Sequence, residues 1–349
     1  MNVLDGDVQA YFHGTLDVIR EDYGLRLRRL TERQISHYEK SSDAWHTRAL
    51  CNAGAILALR TNSTTLDLMA NALKGARTTM GLNVEVDGQV IRSFYIPDTS
   101  NTQTIVVSKN DESVDVLHVN QNKFALRLFE FSEPKERTVR IYLPQSVELQ
   151  FVSLTIQDDA TVKPIDPPKH NLLCLGDSIT QGMDATHPLS TYTTHFARLM
   201  NANMLNQGVG GHIFDPDSFD PELPFEAEGI TIAYGTNDWN GDKTTDQIKE
   251  NVQAYLSKIR QRYPQHQTEI AVISPIWRAI SREKRAGGTL IEFSQTILEA
   301  TRAFGGIHAI DGLTLVPHRN DLMPDGTHPN DEGFLYYGSN LHRAIMNTD

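Results

Sequence analysis

Three prolines fall within the nine residues Thr161-Val-Lys-Pro-Ile-Asp-Pro-Pro-Lys169. Each removes a backbone donor and fixes φ, so this stretch sustains neither a helix nor a central strand. The domain boundary is expected there. A chain of 349 residues suits two domains of roughly 100–200 residues each. The expected division is residues 1–165 and 166–349.

The two sides differ in rhythm. Leu25 to Tyr38 is read as a helix. From about Ala53 the chain breaks into short runs, most alternating apolar and polar: Ala55–Thr61, Thr65–Met69, Leu82–Val86, Thr104–Val107, Phe124–Phe129, Thr138–Tyr142 and Val147–Phe151. Period-two alternation marks half-buried strands, and Asp87-Gly88 between two of them is a tight-hairpin signal. Many short strands at near-regular spacing predict an all-β, jelly-roll-like sandwich. After the prolines, strand candidates (Leu172–Leu175, Asn203–Asn206, Gly229–Tyr234, Glu269–Ser274, Ile307–Ile310) alternate with helix candidates (Thr191–Met200, Thr245–Arg262, Leu290–Phe304), and a last helix runs from about Glu332 to Met346. Ile248, Val252, Tyr255, Leu256 and Ile259 lie on one helical face. Alternating βα units predict an α/β domain with a parallel sheet between helices.

The chemistry is concentrated at the ends of the predicted parallel strands, the edge where open α/β sheets bind their ligands. Asn171-Leu-Leu-Cys-Leu-Gly-Asp-Ser-Ile-Thr180 carries an apolar strand into a Gly-Asp-Ser turn, making Ser178 a candidate nucleophile. A serine hydroxyl needs a base, and the base needs an orienting group. Asp325-Gly-Thr-His328 offers both: one turn of backbone brings Asp325 to Nδ1 of His328, leaving the other nitrogen for Ser178. The developing oxyanion needs donors. Asn206-Gln-Gly-Val-Gly-Gly211 and Gly235-Thr-Asn-Asp238 follow the next two strands, so Ser178 N–H, Gly211 N–H and the Asn237 side chain form a candidate three-donor hole. Singly, each block reads as a turn or cap; together, in this order, they make a hydrolase site.

At these four blocks the chain resembles the SGNH, or GDSL-type, serine hydrolases. The resemblance covers the C-terminal half and implies a flavodoxin-like three-layer fold, with Ser178, Gly211, Asn237 and His328 as the four hallmark residues and Asp325 as the triad acid. Among the neighbouring candidates at 208, 210 and 211, Gly211 is chosen because the family's oxyanion glycine closes this motif. The α/β-hydrolase elbow Gly-x-Ser-x-Gly is not met, because Thr180 stands at its second glycine. A sandwich joined to such a domain is similar to two-domain carbohydrate esterases and to some SGNH acyltransferases. The implied activity is a serine esterase, or carbohydrate deacetylase, cleaving small O-acyl esters through an acyl-serine. The alternatives are an acyltransferase and a non-catalytic carbohydrate-binding protein.

Trp239 is a candidate wall of the acyl or sugar site, with a core tryptophan as its alternative, and Asp177 a second candidate substrate contact. Asp177 and Asp238 also read as groups that hold the loops. Phe214–Pro224 is read as a loop bordering the pocket; Trp277-Arg278 is given no role. The formal charge of −12 argues against nucleic acid and anionic lipid as partners, favouring a small-molecule or oligosaccharide ester. No basic, apolar leader is visible, and no apolar run approaches the ~20 residues of a membrane span. Cys51 and Cys174 lie far apart in different predicted domains; Cys174, inside the strand before Ser178, is read as a buried free thiol, and a cytoplasmic setting is expected. The thirteen histidines show no metal-binding spacing and read as scattered surface residues, so no metal or cofactor is expected. An exposed face of the sandwich could support a homo-oligomer.

Overall fold

The computed structural model describes residues 1–100, 106–108, 116–117 and 122–347. By contacts the chain divides into two compact units. The first comprises Met1–Leu30, Leu50–Pro167 and Thr186–Leu189; the second comprises Thr31–Ala49, Pro168–Ala185 and Ser190–Asp349. The division is thus not a single cut at the prolines, because residues 31–49 fold with the C-terminal unit.

Among the described residues the first unit holds two antiparallel sheets, of seven and six strands. Strand Thr65–Ala72 alternates strictly, burying Leu66, Leu68, Ala70 and Ala72, and these join Leu57, Leu59, Leu82, Val84 and Ile141 of the other sheet in one core. That is the sandwich arrangement, each sheet burying one face. Asp87 and Gly88 both have positive φ, +48° and +82°. They turn the hairpin between Met80–Val86 and Gln89–Ile96, as a primed turn requires. Thr104 of the expected strand Thr104–Val107 lies outside the described residues; Val106–Ser108 is extended.

The helix expected over Leu25–Tyr38 is corrected. Gly24–Arg28 is a strand with Leu25 and Leu27 buried, while Arg26 and Arg28 each donate to Glu148 at 3.2 Å. Period-two alternation with a buried carboxylate for the arginines overrides helical spacing here. The helix begins only after Thr31, whose side chain forms a capping box with Gln34.

The second unit contains a five-stranded parallel sheet: β1 (His170–Gly176), β2 (Ala202–Asn206), β3 (Gly229–Ala233), β4 (Glu269–Ile273) and β5 (His308–Ile310). Its order is β2-β1-β3-β4-β5, the flavodoxin-like order. The helices are α1 (Glu32–Ser41), α2 (Asp43–Ala49), α3 (Ser178–Gln181), α4 (Tyr192–Leu199), α5 (Thr236–Asn240), α6 (Thr245–Arg262), α7 (Leu290–Phe304) and α8 (Asp331–Met346). α6 buries Ile248, Val252, Tyr255, Leu256 and Ile259, the face read from the sequence. Strand order reverses direction beside β1, so the loops after β1, β2 and β3 diverge and leave a crevice at their carboxyl ends.

Candidate active site

The crevice receives the serine because β1 cannot continue. Gly176 packs so closely that a Cβ there would lie 2.0 Å from Thr180 Oγ1 and 2.7 Å from Ala233 O; only glycine fits. Asp177 then caps α3, accepting the Ile179 N–H at 2.9 Å. Ser178 is the first residue of α3, so its own N–H has no intrahelical acceptor.

Ser178 Oγ lies 2.8 Å from His328 Nε2. On the far side of the ring, Nδ1 lies 2.6 Å from Asp325 Oδ2. A carboxylate only accepts, so Nδ1 carries the proton and Nε2 is left to accept from the serine hydroxyl. Asp325 owes its place to its neighbours: Oδ1 accepts the N–H groups of Thr327 at 2.8 Å and His328 at 2.7 Å. The three-residue spacing is thus a carboxylate-closed turn.

Two further groups at the base were not found from the sequence. Asp184 Oδ2 stands 3.1 Å from His328 Nδ1, a second carboxylate on the same nitrogen. It lies in the loop after α3 with φ +70°, rare for a residue with a side chain; six residues past Ser178, it belongs to no block that the sequence marks. Arg278, buried at 6% exposure, follows β4 and braces the histidine loop. Its Nε donates to Gly326 O at 3.1 Å and its Nη2 to Thr327 Oγ1 at 2.7 Å, while Nη1 donates to Asn240 Oδ1 at 3.2 Å.

These surroundings tune the base. Burial pulls the His328 pKa down, but hydrogen bonds and charge from Asp184 and Asp325 outweigh it, and the pKa is raised above that of ordinary histidine. Burial pushes Asp325 up, yet its hydrogen bonds from the His328 and Thr327 main chain and the imidazole leave it below the usual carboxylate range. The acid is therefore ionised and the imidazole can take a proton.

The loop after β2 separates the three candidate glycines. Gly208 N–H donates to Asn206 Oδ1 at 2.8 Å and Gly210 N–H to Gln181 Oε1 at 2.8 Å. Among the described residues the Gly211 N–H takes no acceptor. Gly211 has φ +80°, and a Cβ there would lie 2.7 Å from Arg48 Nη1. Arg48, on α2, donates to Gly210 O at 2.8 Å, and Trp45 Nε1 would lie 3.3 Å from the same Cβ. These α2 residues reach the glycine loop from a segment that sequence reading placed in the other domain. Asn237, on α5, donates to His212 O at 3.0 Å and at longer range to Asp177 Oδ2, 3.4 Å.

Two expected substrate contacts are corrected. Trp239 is fully buried: its indole N–H donates to Gly288 O at 3.0 Å and the Arg285 guanidinium lies over its ring, 4.5 Å from the centroid. It is a core residue because α5 turns it inward. Asp177 is 2% exposed and serves the α3 cap and Asn237; burial pushes its pKa up to about 6. Asp238 likewise holds a loop, accepting the Phe214 N–H at 3.2 Å, and burial pushes it up to about 7. Phe214, Phe219 and Leu223 are buried, so the Phe214–Pro224 segment is anchored by its apolar residues.

A cavity of about 590 Å³ lies at the opposite edge of the sheet, lined by His170, Met200, Glu228, Glu269 and His308 among others. It does not reach Ser178. Among the described residues no helix is long and apolar enough to cross a membrane.

Residues 174–334, which contain every group of this constellation from Asp177 to His328, match the GDSL-like Lipase/Acylhydrolase family. The second unit carries a GDSL-like lipase/acylhydrolase domain. No curated protein matches the chain. Solved structures similar to this chain include the salicylyl-acyltransferase SsfX3 from a tetracycline biosynthetic pathway, at 21% identity and TM-score 0.79, covering 99% of this chain and 96% of that one. A family two carbohydrate esterase from Cellvibrio japonicus is similar at 14% identity and TM-score 0.64, over 97% and 95% of the two chains. An acetyl xylan esterase from Butyrivibrio proteoclasticus is similar at 12% identity and TM-score 0.59, over 99% and 96%. At these identities the likeness establishes the fold alone, an SGNH α/β domain and a β-sandwich domain; activity has to be argued from the site.

Proposed function

We propose that the protein is a serine esterase that cleaves small O-acyl esters, O-acetyl groups on carbohydrate first among them, through an acyl-serine intermediate. The observation that carries this reading is the unbroken line Ser178 Oγ, His328 Nε2, His328 Nδ1, Asp325 Oδ2, with contacts of 2.8 and 2.6 Å. His328 takes the Ser178 proton as Oγ attacks the ester carbonyl, and Asp325 stabilises the imidazolium. The tetrahedral oxyanion accepts from the N–H groups of Ser178 and Gly211, and from Asn237 once its long contact to Asp177 gives way. His328 then returns the proton to the departing alkoxide, and a water, activated by the same base, releases the acid from Ser178. Acetylated oligosaccharide is favoured by the fold shared with carbohydrate esterases, one of them solved with cellohexaose. Both cysteines are buried and neither forms a disulfide, in keeping with the proposed cytoplasmic setting.

A second reading is supported by the fold shared with SsfX3: an acceptor alcohol, in place of water, takes the acyl group from Ser178. A panel of acetylated oligosaccharides and p-nitrophenyl esters of rising chain length, assayed with and without acceptor alcohols, tests both. Free acid as the dominant product supports the esterase. Transfer that outruns hydrolysis in water supports the acyltransferase. Inertness toward every ester, with glycan binding retained, overturns both.

A further inference from the structure

We propose that His37, His212 and Asp215 form a binding site for a divalent transition-metal ion, Zn²⁺ by ligand chemistry, separate from the serine site. The residues come from two places in the second unit, His37 from α1 and the other two from the loop after β2, so no spacing motif announces them. One ligand atom from each lies within 4.8 Å of the others. His37 Nε2 is 2.9 Å from Asp215 Oδ2, and His212 Nε2 is 3.8 Å from that same oxygen. The other oxygen, Oδ1, accepts the Asp217 N–H at 3.0 Å, which fixes the carboxylate with Oδ2 toward the two rings.

The decisive residue is His212. It is fully buried, and neither ring nitrogen has a partner within hydrogen-bond distance; Nε2 has only the Asp215 carboxylate nearby, at 3.8 Å. Its ring meets Tyr38, Trp45 and Tyr234 edge to face at 5.0, 4.9 and 5.8 Å. A buried polar nitrogen left unpaired costs about 1–3 kcal/mol, so a native site supplies it with a partner. The 3.8 Å gap to Asp215 indicates which kind. It is too long for a direct hydrogen bond, which ends near about 3.2 Å. A water making two bonds of about 2.8 Å at a near-tetrahedral angle holds its partners about 4.5 Å apart, so a single water would bridge the gap only at a compressed angle. A four-coordinate ion bound at about 2.0–2.2 Å holds its ligand atoms about 3.3–3.6 Å apart. The 3.8 Å His212–Asp215 gap and the 2.9 Å His37–Asp215 hydrogen bond stand on either side of that spacing, so binding an ion would open the His37–Asp215 bond by about half an ångström and draw His212 in slightly.

Two imidazoles and one carboxylate suit first-row ions such as Zn²⁺, whereas Ca²⁺ and Mg²⁺ favour all-oxygen shells. The His37 and Asp215 side chains are about a quarter exposed, 23% and 25%, so a solvent water can complete four-coordination. The ion would tie α1 to the loop that presents Gly211, immediately before His212, and His212 O, which accepts from Asn237. Its role is to hold that loop, and no step of the ester chemistry runs through it.

The test is calorimetric titration of chelator-treated full-length protein with Zn²⁺, alongside His37→Ala, Asp215→Ala and His328→Ala. One equivalent per chain is expected for wild type and for His328→Ala, and at the same concentrations none for His37→Ala or Asp215→Ala. Both losses are at partly exposed positions, and circular dichroism confirms that these variants fold. Wild-type melting temperature rises with Zn²⁺ concentration if the site exists. Absence of stoichiometric binding, its persistence in His37→Ala, or its loss in His328→Ala alone overturns the proposal. None of these readouts depends on esterase activity.

Discussion

Replacing Asp184 with Asn removes one of two charges from His328 Nδ1 while keeping the volume. Nδ1 carries a single proton; Asp325 takes it at 2.6 Å and is itself held by two main-chain donors. Asp184, at 3.1 Å, therefore acts mainly through its charge. At that separation Coulomb's law gives about 5 kcal/mol with an effective dielectric of about 20 and about 1.3 kcal/mol with that of water. The Asp184 side chain is 30% exposed, so solvent screening sets the effect near the lower end, about 1–3 kcal/mol, or roughly one to two pH units. The sign follows from the role: His328 works as a base only when neutral, and both carboxylates hold its pKa up against burial. Removing one lowers the pKa, so the acid limb of kcat/KM moves to lower pH by about one unit or more, and the less basic imidazole lowers the plateau by about tenfold. The assay is the pH profile of p-nitrophenyl acetate hydrolysis for wild type, Asp184→Asn, Asp325→Asn and the double variant. Asp325→Asn falls further, because it also frees the imidazole to turn, and the double variant falls below either. An acid limb in Asp184→Asn that stays in place, or moves to higher pH, refutes the reasoning.

Other perturbations separate the roles assigned above. Arg278→Met removes the donors to Gly326 O and Thr327 Oγ1; kcat is expected to fall about 10- to 100-fold with KM nearly unchanged, since the base loses its position while the substrate surface stays. Gly211→Ala forces a Cβ into left-handed backbone 2.7 Å from Arg48 Nη1, and kcat/KM should fall by about 10²-fold or more as the donor is displaced. Trp239→Phe loses the bond to Gly288 O and fills the site incompletely. A chemical denaturation curve should show a loss of about 1–3 kcal/mol, with KM for the ester unaltered; a raised KM would restore the tryptophan to the substrate site.

The sequence reveals the site where chemistry and local structure share one segment. Gly176-Asp-Ser178 and Asp325-Gly-Thr-His328 are turns closed by their own side chains, and the apolar runs β1 to β5 deliver them to one edge. The arrangement at Gly208 to Gly211 is less local: which N–H is left without an acceptor depends on Asn206 and on Gln181. Asp184 and Arg278 are illegible because tertiary packing alone brings them to the histidine loop. The same holds for α1 and α2, which precede most of the sandwich yet pack against the glycine loop. Trp239 was ambiguous for a different reason. In a helix as short as α5, Thr236–Asn240, there is too little periodicity to tell an inward ring from an outward one.

The central claim is that Ser178 becomes acylated by the ester. Acid-quenched protein, sampled during turnover of p-nitrophenyl acetate and digested, should carry one acetyl group on the peptide containing Ser178. Ser178→Ala, folded as judged by circular dichroism, should carry none and hydrolyse no ester above background. An acetyl group on another residue, or wild-type turnover by Ser178→Ala, would contradict the account.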